Sequence, residues 1–207
     1  MRSWRNARPV AVRPGCAPAA RGGVPACRDG AENGRVPAAV VRPVPEVDDA
    51  LRAELLACWT DVSNAGGAVG FVPPVTRDDV APVLDRLLEG VRSRRDVLCV
   101  LTVDGATAGF AALVGATGPL RQHWGTVLRV QVHPSRQGEG LGRVLMDGVH
   151  EVARTRGWEF LHLTARGGTG VDVFYRRLGY REVGRLPGAI RVAPGDDRDE
   201  ISLVRAL

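Results

Sequence analysis

Two helices are predicted in the first half of the chain by apolar residues that recur every three or four positions. Asp48 precedes the first apolar stripe, and Thr76, with Asp79 three residues later, precedes the second; both arrangements are typical of helix N-terminal caps. The second stripe is continuous, so the second helix is expected to pack on a sheet. Their apolar positions are Leu51, Leu55, Trp59 and Val62 in the first helix, and Val80, Val83, Leu84, Leu87, Leu88 and Val91 in the second.

Apolar runs rich in β-branched residues predict the strands. The segments 97–103 and 108–114 flank Asp104-Gly105, a pair that favours the positive φ angles of a type I′ hairpin turn. Further strands are expected at 38–44, 127–132 and 160–164, and the acid-rich segment 194–200 is expected to be a loop before the last strand. With helices after the strands at 127–132 and 160–164, the predicted order is β, α, α, β, β, β, α, β, α, β, β.

The most informative stretch runs from Val130 to Arg143, where an apolar strand leads into a glycine loop that opens a helix. Glycine has no Cβ, so successive backbone N–H groups can turn toward one anion, and the helix N-terminus adds unpaired N–H groups and partial positive charge. Arg136 and Arg143 flank the loop and can bind phosphate oxygens. The stretch predicts a diphosphate site; the alternative is a glycine-rich turn without a ligand.

The absence of lysine narrows the choice of ligand. All 28 basic residues are arginine, which excludes the lysines of Walker A loops, protein kinases and pyridoxal Schiff bases. The loop glycines stand at positions one, three and five, whereas the dinucleotide fingerprint has them at one, three and six. The sequence therefore argues against both a Walker A nucleotide site and a dinucleotide-binding site.

The stretch resembles the acetyl-CoA signature of the GNAT family of N-acetyltransferases, Val-x-Val-x-Pro-x-x-Arg/Gln-Gly-x-Gly-x-Gly/Ala. The resemblance implies an α/β fold over residues 37–207: a single domain whose mixed, mostly antiparallel, twisted central sheet has about seven strands flanked by about four helices. It also implies acetyl-CoA as the acetyl donor. The positions that match are Val130, Val132, Pro134, Gln137, Gly138, Gly140 and Gly142.

The resemblance also assigns the residues that bind the cofactor. Strand backbone at Val130, Gln131 and Val132 is expected to bond the pantetheine arm. Thr169 is expected to replace a cofactor-contacting Asn of the family, whose position is Gly168 here. The pyrophosphate is expected on the loop and its flanks, at Arg136, Gln137, Gly138, Glu139, Gly140, Leu141, Gly142 and Arg143.

Tyr175 is the expected general acid. The segment 174–180 resembles the family motif Phe-Tyr-x-x-x-Gly-Phe/Tyr, in which the tyrosine donates a proton to the departing sulfur. A phenol is protonated at neutral pH and its ring tolerates burial, so the chemistry is consistent with this role. The alternative is a core tyrosine whose hydroxyl is satisfied by the protein.

The general base stays open, because the central strand lacks the glutamate that many relatives place there. The candidates are His133, whose expected main role is to shape its turn, His123 beside Trp124, His162, Glu200 and a water chain. On the acceptor side, Phe71 is expected to line the pocket, the alternative being a phenylalanine that only fills the core. Asp199 and Glu200, in a cluster of four acids, are expected to attract a cationic amine, the alternative being a solvated turn.

Composition separates residues 1–36 from the rest. This segment is rich in Arg, Pro and Gly and holds seven arginines against two acids, so it carries the whole net charge of +5. We expect a disordered N-terminal extension. The four cysteines lack CxxC spacing, and Cys58 and Cys99 lie in apolar settings, so neither a metal site nor disulfides are expected and a reducing cytoplasm is the predicted location.

The leading hypothesis is an enzyme that moves an acetyl group from acetyl-CoA to a primary amine of a small molecule within a ternary complex. Acetylation of a protein or peptide amine, and a non-catalytic acetyl-CoA sensor, are the alternatives. Nucleic-acid binding through the basic extension explains less of the sequence, and no apolar run reaches the roughly 18 residues of a membrane span. A monomer or homodimer without nucleic-acid or membrane partners is expected.

Overall fold

The computed structural model of the chain describes residues 10–11 and 38–207. Within them, the four helices are α1 Asp49–Asn64, α2 Arg77–Arg92, α3 Leu141–Thr155 and α4 Val171–Arg177. The strands are β1 Val10–Ala11, β2 Ala39–Val44, β3 Asp96–Val103, β4 Ala106–Gly115, β5 Trp124–Val132, β6 Phe160–Arg166, β7 Arg181–Ala193 and β8 Asp196–Ala206.

One sheet joins the strands in the order β1-β2-β3-β4-β5-β6-β8-β7. All neighbours are antiparallel except β5 and β6, which are parallel. The strands β2–β8 and the four helices confirm the predicted mixed sheet and the predicted order of elements. The two residues of β1 belong to the predicted extension and pair with Val40 and Val41 of β2. The rest of the extension, which was also predicted to be disordered, lies outside the described residues.

The hairpin and the helix caps confirm their sequence signals. Asp104 and Gly105 both have positive φ, 51° and 88°, between β3 and β4. Asp48 accepts a hydrogen bond from the N–H of Leu51 at 2.8 Å, and Thr76 and Asp79 cap α2 reciprocally. These local contacts satisfy donors that a helix terminus leaves unpaired, which is why the sequence located both starts correctly.

Two hydrophobic layers cover the two faces of the sheet. Strand β3 is buried on both sides because Leu98 and Val100 face α1 and α2, whereas Cys99 and Leu101 face α3. Cys99 and Cys58 lie in the core as expected, and burial raises the pKa of each thiol to about 12.

The loop predicted at 194–200 is shorter than expected: only Pro194-Gly195 turns, and residues 196–200 belong to β8, so for these residues the prediction was wrong. Strands β7 and β8 form a long hairpin that turns at Pro194-Gly195, and Gly195 has φ 81°. Arg191 pairs with Asp197 across the hairpin, with Nε–Oδ1 at 2.7 Å. Opposite charges on facing positions stabilise a ladder whose sequence alone looks like a turn.

Candidate active site

The parallel strands β5 and β6 pair only through the first three residues of each, from Trp124–Phe160 to Thr126–His162. Beyond that point β5 continues to Val132 and β6 continues to Arg166, while β6 stays paired with β8 along its whole length. The edge of β5 that faces β6 is therefore unpaired over residues 127–132. The sheet opens here into a cleft whose wall carries free backbone hydrogen-bonding groups.

The register with β4 shows which groups face the cleft. Gln131 lies opposite Phe110, and the N–H of His133 donates to the carbonyl of Ala108 at 2.8 Å. Backbone groups alternate along a strand, so the N–H and C=O of Val132 point away from β4. The carbonyl of Val132 accepts a hydrogen bond from Gln137 Nε2 at 3.0 Å, which ties the end of the strand to the following loop.

The glycine loop begins α3 as the sequence predicted. Gly138 and Gly140 have φ of 85° and 77°, and a Cβ on either would meet no atom within 4 Å. Open space beside the backbone, rather than close packing, therefore surrounds these glycines. Within the described part of the chain, the N–H groups of residues 138–142 donate no hydrogen bond.

Five free donors, a helix N-terminus and open space fit a diphosphate. Arg136 and Arg143 flank the loop and make only weak surface pairs, with Glu139 at 3.5 Å and Asp147 at 3.7 Å. Both guanidinium groups are available to an anion bound in the loop. The residues present thus fit the pyrophosphate of acetyl-CoA, as the sequence resemblance implies.

Tyr175 lies in α4, next to the loop: a Cβ on Gly142 would stand 3.5 Å from the Phe174 ring. Tyr175 is 6% exposed, and its hydroxyl makes no hydrogen bond to any described residue. The neighbouring Tyr180, by contrast, bonds His150 Nε2 at 3.1 Å. Burial raises the pKa of the Tyr175 phenol, so it keeps its proton at neutral pH and can donate it.

Thr169 lies in the turn between β6 and α4. Its hydroxyl donates to the carbonyl of Arg166 at 2.7 Å and accepts from the N–H of Val171 at 3.5 Å. Both hydrogen bonds stabilise the turn. Its expected contact with the cofactor stays a prediction.

Phe71 lies in the loop between α1 and α2, half-buried. Its ring packs edge-on against Trp59, with centroids 5.8 Å apart, and Trp59 packs in the same way against Phe110. Phe71 thus fills the core and borders the loop at once, and its predicted role as a pocket wall stays a prediction.

The acid cluster is neutralised within the hairpin. Asp199 binds Arg185 at 3.0 Å and the N–H of Gly188 at 3.2 Å, contacts that lower the pKa of its carboxyl group. Asp196 pairs with Arg198, and Asp197 with Arg191. Glu200, which forms no ion pair within the described residues, is the acid of this cluster best placed to meet a cation.

The candidate bases differ in their surroundings. His133 bonds Ser135 at 2.7 Å and Asp61 at 3.2 Å, in line with the expected role of shaping its turn. His162 of β6 lies on the face opposite to the α3 layer, where Glu200 of β8 also lies. Burial lowers the pKa of His162 while the Glu200 carboxylate opposes that shift, so the imidazole is neutral at pH 7 and able to accept a proton.

Arg129 lies on β5, the strand that lines the cleft, and was not predicted from the sequence as a site residue. The register of β5 against β4 shifts beside it, and Arg129 has φ 55° although it is not glycine. Gly109 of β4 permits the close approach, because a Cβ there would collide with the carbonyl of Gln131. No turn residue marks this bulge, so the sequence offered no local signal for it.

Comparison with known proteins agrees with this geometry. Residues 94–182 match the family model described as an acetyltransferase (GNAT) domain. The chain is 33% identical over 109 residues to an uncharacterized N-acetyltransferase from the hisH-hisA intergenic region of Azospirillum brasilense, covering 51% of this chain and 62% of that relative's length. Residues 94–182 therefore match the GNAT acetyltransferase family, and the chain spans 62% of the length of the curated relative that it matches.

Solved structures share the fold. A GNAT acetyltransferase from Streptococcus pneumoniae aligns with a TM-score of 0.63 at 18% identity, over 82% of this chain and 99% of that one. The ribosomal-protein-alanine N-acetyltransferase from Brucella melitensis aligns at 0.66 and 20%, over 81% and 99%. A protein from Salmonella typhimurium, solved with acetyl-CoA as its cofactor, aligns at 0.63 and 18%, over 82% and 94%.

Two features are absent from residues 10–11 and 38–207. No helix there is both long and apolar enough to span a bilayer. No group of three or more His, Cys, Asp or Glu side chains is placed there to hold a metal ion.

Proposed function

We propose that the protein is an N-acetyltransferase that moves an acetyl group from acetyl-CoA to a primary amine of a small molecule. The observation that carries the proposal is the unpaired edge of β5, which runs directly into five free N–H donors at the start of α3. An extended amide-containing arm with a diphosphate at one end matches that row of groups. The match of residues 94–182 to the GNAT acetyltransferase family model supports the same assignment.

Each part of the cleft has a role in this reaction. Acetyl-CoA, when bound, supplies a thioester-activated acetyl group. The loop N–H groups, Arg136 and Arg143 bind its phosphates, and the backbone of Val130 and Val132 holds the arm along β5. The free N–H of Val132 is directed to polarise the carbonyl that the amine attacks.

Proton transfers complete the reaction. The acceptor must be neutral to attack, and His162 or Glu200 would take its proton, directly or through water. Tyr175 donates its proton to the departing sulfur, since its hydroxyl is protonated and bonds none of the described residues. Direct attack within a ternary complex needs no covalent enzyme intermediate.

The proposal is tested by calorimetric titration of acetyl-CoA, followed by measurement of CoA release with a panel of primary amines. Micromolar binding and amine-dependent release of CoA are expected. Absence of acetyl-CoA binding would overturn the assignment of the cleft.

Two alternatives have distinct outcomes in the same experiment. Release of CoA with peptide amines but with no small amine would indicate a protein acetyltransferase, the activity named for the Brucella relative of similar fold. Tight binding of acetyl-CoA without any turnover would indicate a sensor.

A further inference from the structure

Arg129 is a half-buried cation, and none of the described acidic residues forms an ion pair with it. Its Nη1 donates to the carbonyl of Val69 at 3.0 Å, and the guanidinium lies over the Trp59 ring, 5.3 Å from the centroid. Within residues 10–11 and 38–207, no carboxylate lies within 4.0 Å of it. Burial is the cause that lowers its pKa.

The surroundings of Arg129 are built to hold the guanidinium in place. Gly70, in the loop between α1 and α2, has φ 103°, and a Cβ there would collide with the guanidinium. Trp59 Nε1 donates to the same Val69 carbonyl at 3.0 Å. One carbonyl thus fixes both the indole and the guanidinium.

Among the described residues, these contacts engage only part of the guanidinium. It carries five N–H donors, and one carbonyl and an aromatic face engage only part of them. A desolvated charge without a counter-ion destabilises the protein. An anionic group on a ligand would supply the missing charge and could accept two parallel hydrogen bonds.

Arg129 lies on β5, the strand whose free edge lines the cleft. It stands at the bulge of β5, three positions before Val132, and contacts the loop between α1 and α2. From the opposite wall of the cleft, Arg166 of β6 donates to the carbonyl of Gly66 in the same loop at 3.1 Å. The two strands that diverge to form the cleft therefore both contact this loop.

A second unsatisfied group lies beside Arg129. Gln131 is 3% exposed and its Oε1 accepts no hydrogen bond, while its Nε2 donates to the Arg129 carbonyl at 3.4 Å. The carbonyl oxygen of the Gln131 side chain, which can accept a hydrogen bond, and the guanidinium of Arg129, which can donate to an anion, thus lie two positions apart on one strand.

We propose that Arg129 binds a carboxylate of the acceptor, so that the acceptor is an amino acid or a closely related amine that carries a carboxylate. This inference rests on the proposed acetyltransferase function and narrows its substrate class. It excludes polyamines and the N-terminal amines of proteins as preferred acceptors, since neither presents a free carboxylate next to the amine.

The wild-type protein tests the inference with matched acceptors. CoA release is measured for the twenty amino acids, for their primary amides and for the corresponding decarboxylated amines. For the best amino acid, kcat/KM is expected to exceed that of its amide and its decarboxylated amine by about 10-fold to about 150-fold, the range for a hydrogen-bonded charge. Equal or better use of the neutral analogues would overturn the inference.

Variants then assign the preference to Arg129. Arg129→Gln is expected to raise KM for the amino acid by a similar factor and to abolish discrimination against the amide, while kcat and the Kd of acetyl-CoA stay close to wild type. Arg129→Lys is expected to recover part of the discrimination. Arg42→Gln, an exposed arginine of β2, is the matched control and is expected to change neither quantity.

The readouts separate the possible failures. If Arg129 only held the loop between α1 and α2 in place, its replacement would lower stability or lower activity with all acceptors alike. Unchanged discrimination between the amino acid and its amide in Arg129→Gln would therefore overturn the inference. Turnover with amines but no preference for carboxylates would also overturn it and leave the proposed function standing. Binding of acetyl-CoA without turnover of any amine would overturn both.

Discussion

Replacing Gly140 with alanine separates ligand binding from folding, because the chain offers a matched control. Gly140 precedes the first turn of α3 with φ 77°, and Gly157 follows the last turn of the same helix with φ 76°. A Cβ on either would meet no atom within 4 Å. The two substitutions therefore impose the same backbone strain at opposite ends of one helix.

The expected loss of stability is the same for both variants. A left-handed backbone costs an ordinary residue about 1–2 kcal/mol. For a domain of this size, each kcal/mol lowers Tm by roughly 2–4 °C. We expect both variants to fold and to melt roughly 2–8 °C below wild type.

Only Gly140→Ala is expected to weaken acetyl-CoA binding. Its Cβ would occupy the open space beside the free N–H groups of residues 138–142, where a phosphate oxygen must approach. Loss of one hydrogen bond to a charged oxygen costs about 1.5–3 kcal/mol, which is about a 10-fold to 150-fold higher Kd. Gly157 lies about 25 Å away along the helix, so its variant should bind as wild type does.

Calorimetric titration of acetyl-CoA into both variants, with thermal unfolding measured in parallel, provides the test. Equal Kd values for Gly140→Ala and Gly157→Ala, at equal loss of Tm, would refute the reasoning and leave the loop as a turn without a ligand.

Two further predictions concern buried titratable side chains. Tyr175→Phe should lower kcat by about 100-fold or more, the contribution of a general acid, with little change in the Kd of acetyl-CoA, whereas Tyr180→Phe should lower stability instead because the Tyr180 hydroxyl bonds His150; comparable kcat values for the two variants would remove Tyr175 from the chemistry. His150, 2% exposed, accepts from Arg205 at 2.9 Å, and burial first and then the Arg205 charge lower its pKa to about 3. The unfolded chain therefore takes up its proton near pH 6.5 and the folded protein does not, so stability is complete above pH 6.5 and falls by about 2 kcal/mol by pH 5. Urea unfolding at pH 7 and pH 5 should show this loss in wild type and a smaller one in His150→Gln; an equal loss in both would contradict the assignment.

Much of the fold could be predicted because its signals are local. The caps at Asp48 and Thr76 and the turn at Asp104-Gly105 depend on residues within three positions of each other. The start of β8 was placed too late for the opposite reason. Its acids suggest a solvated loop until Asp197 and Arg191 are known to face each other.

The candidate site also contains residues that the sequence could predict and residues that it could not. The glycine loop could be located from the sequence because positive φ angles at Gly138 and Gly140 have a residue-type signature. The bulge at Arg129 has none, since an arginine there is held by Trp59 and Val69 from a distant loop. The sequence likewise could not show that Tyr175 keeps a free hydroxyl while Tyr180 does not.

The cleft also bears on how this protein avoids aggregation. Unpaired strand edges at the margin of a sheet can recruit other chains into intermolecular sheets. Here the free edge of β5 lies inside the sheet, between strands that converge at Trp124–Phe160 and diverge beyond Thr126–His162. The protein thus keeps a row of vacant backbone groups for a slender ligand without presenting that row at its outer margin.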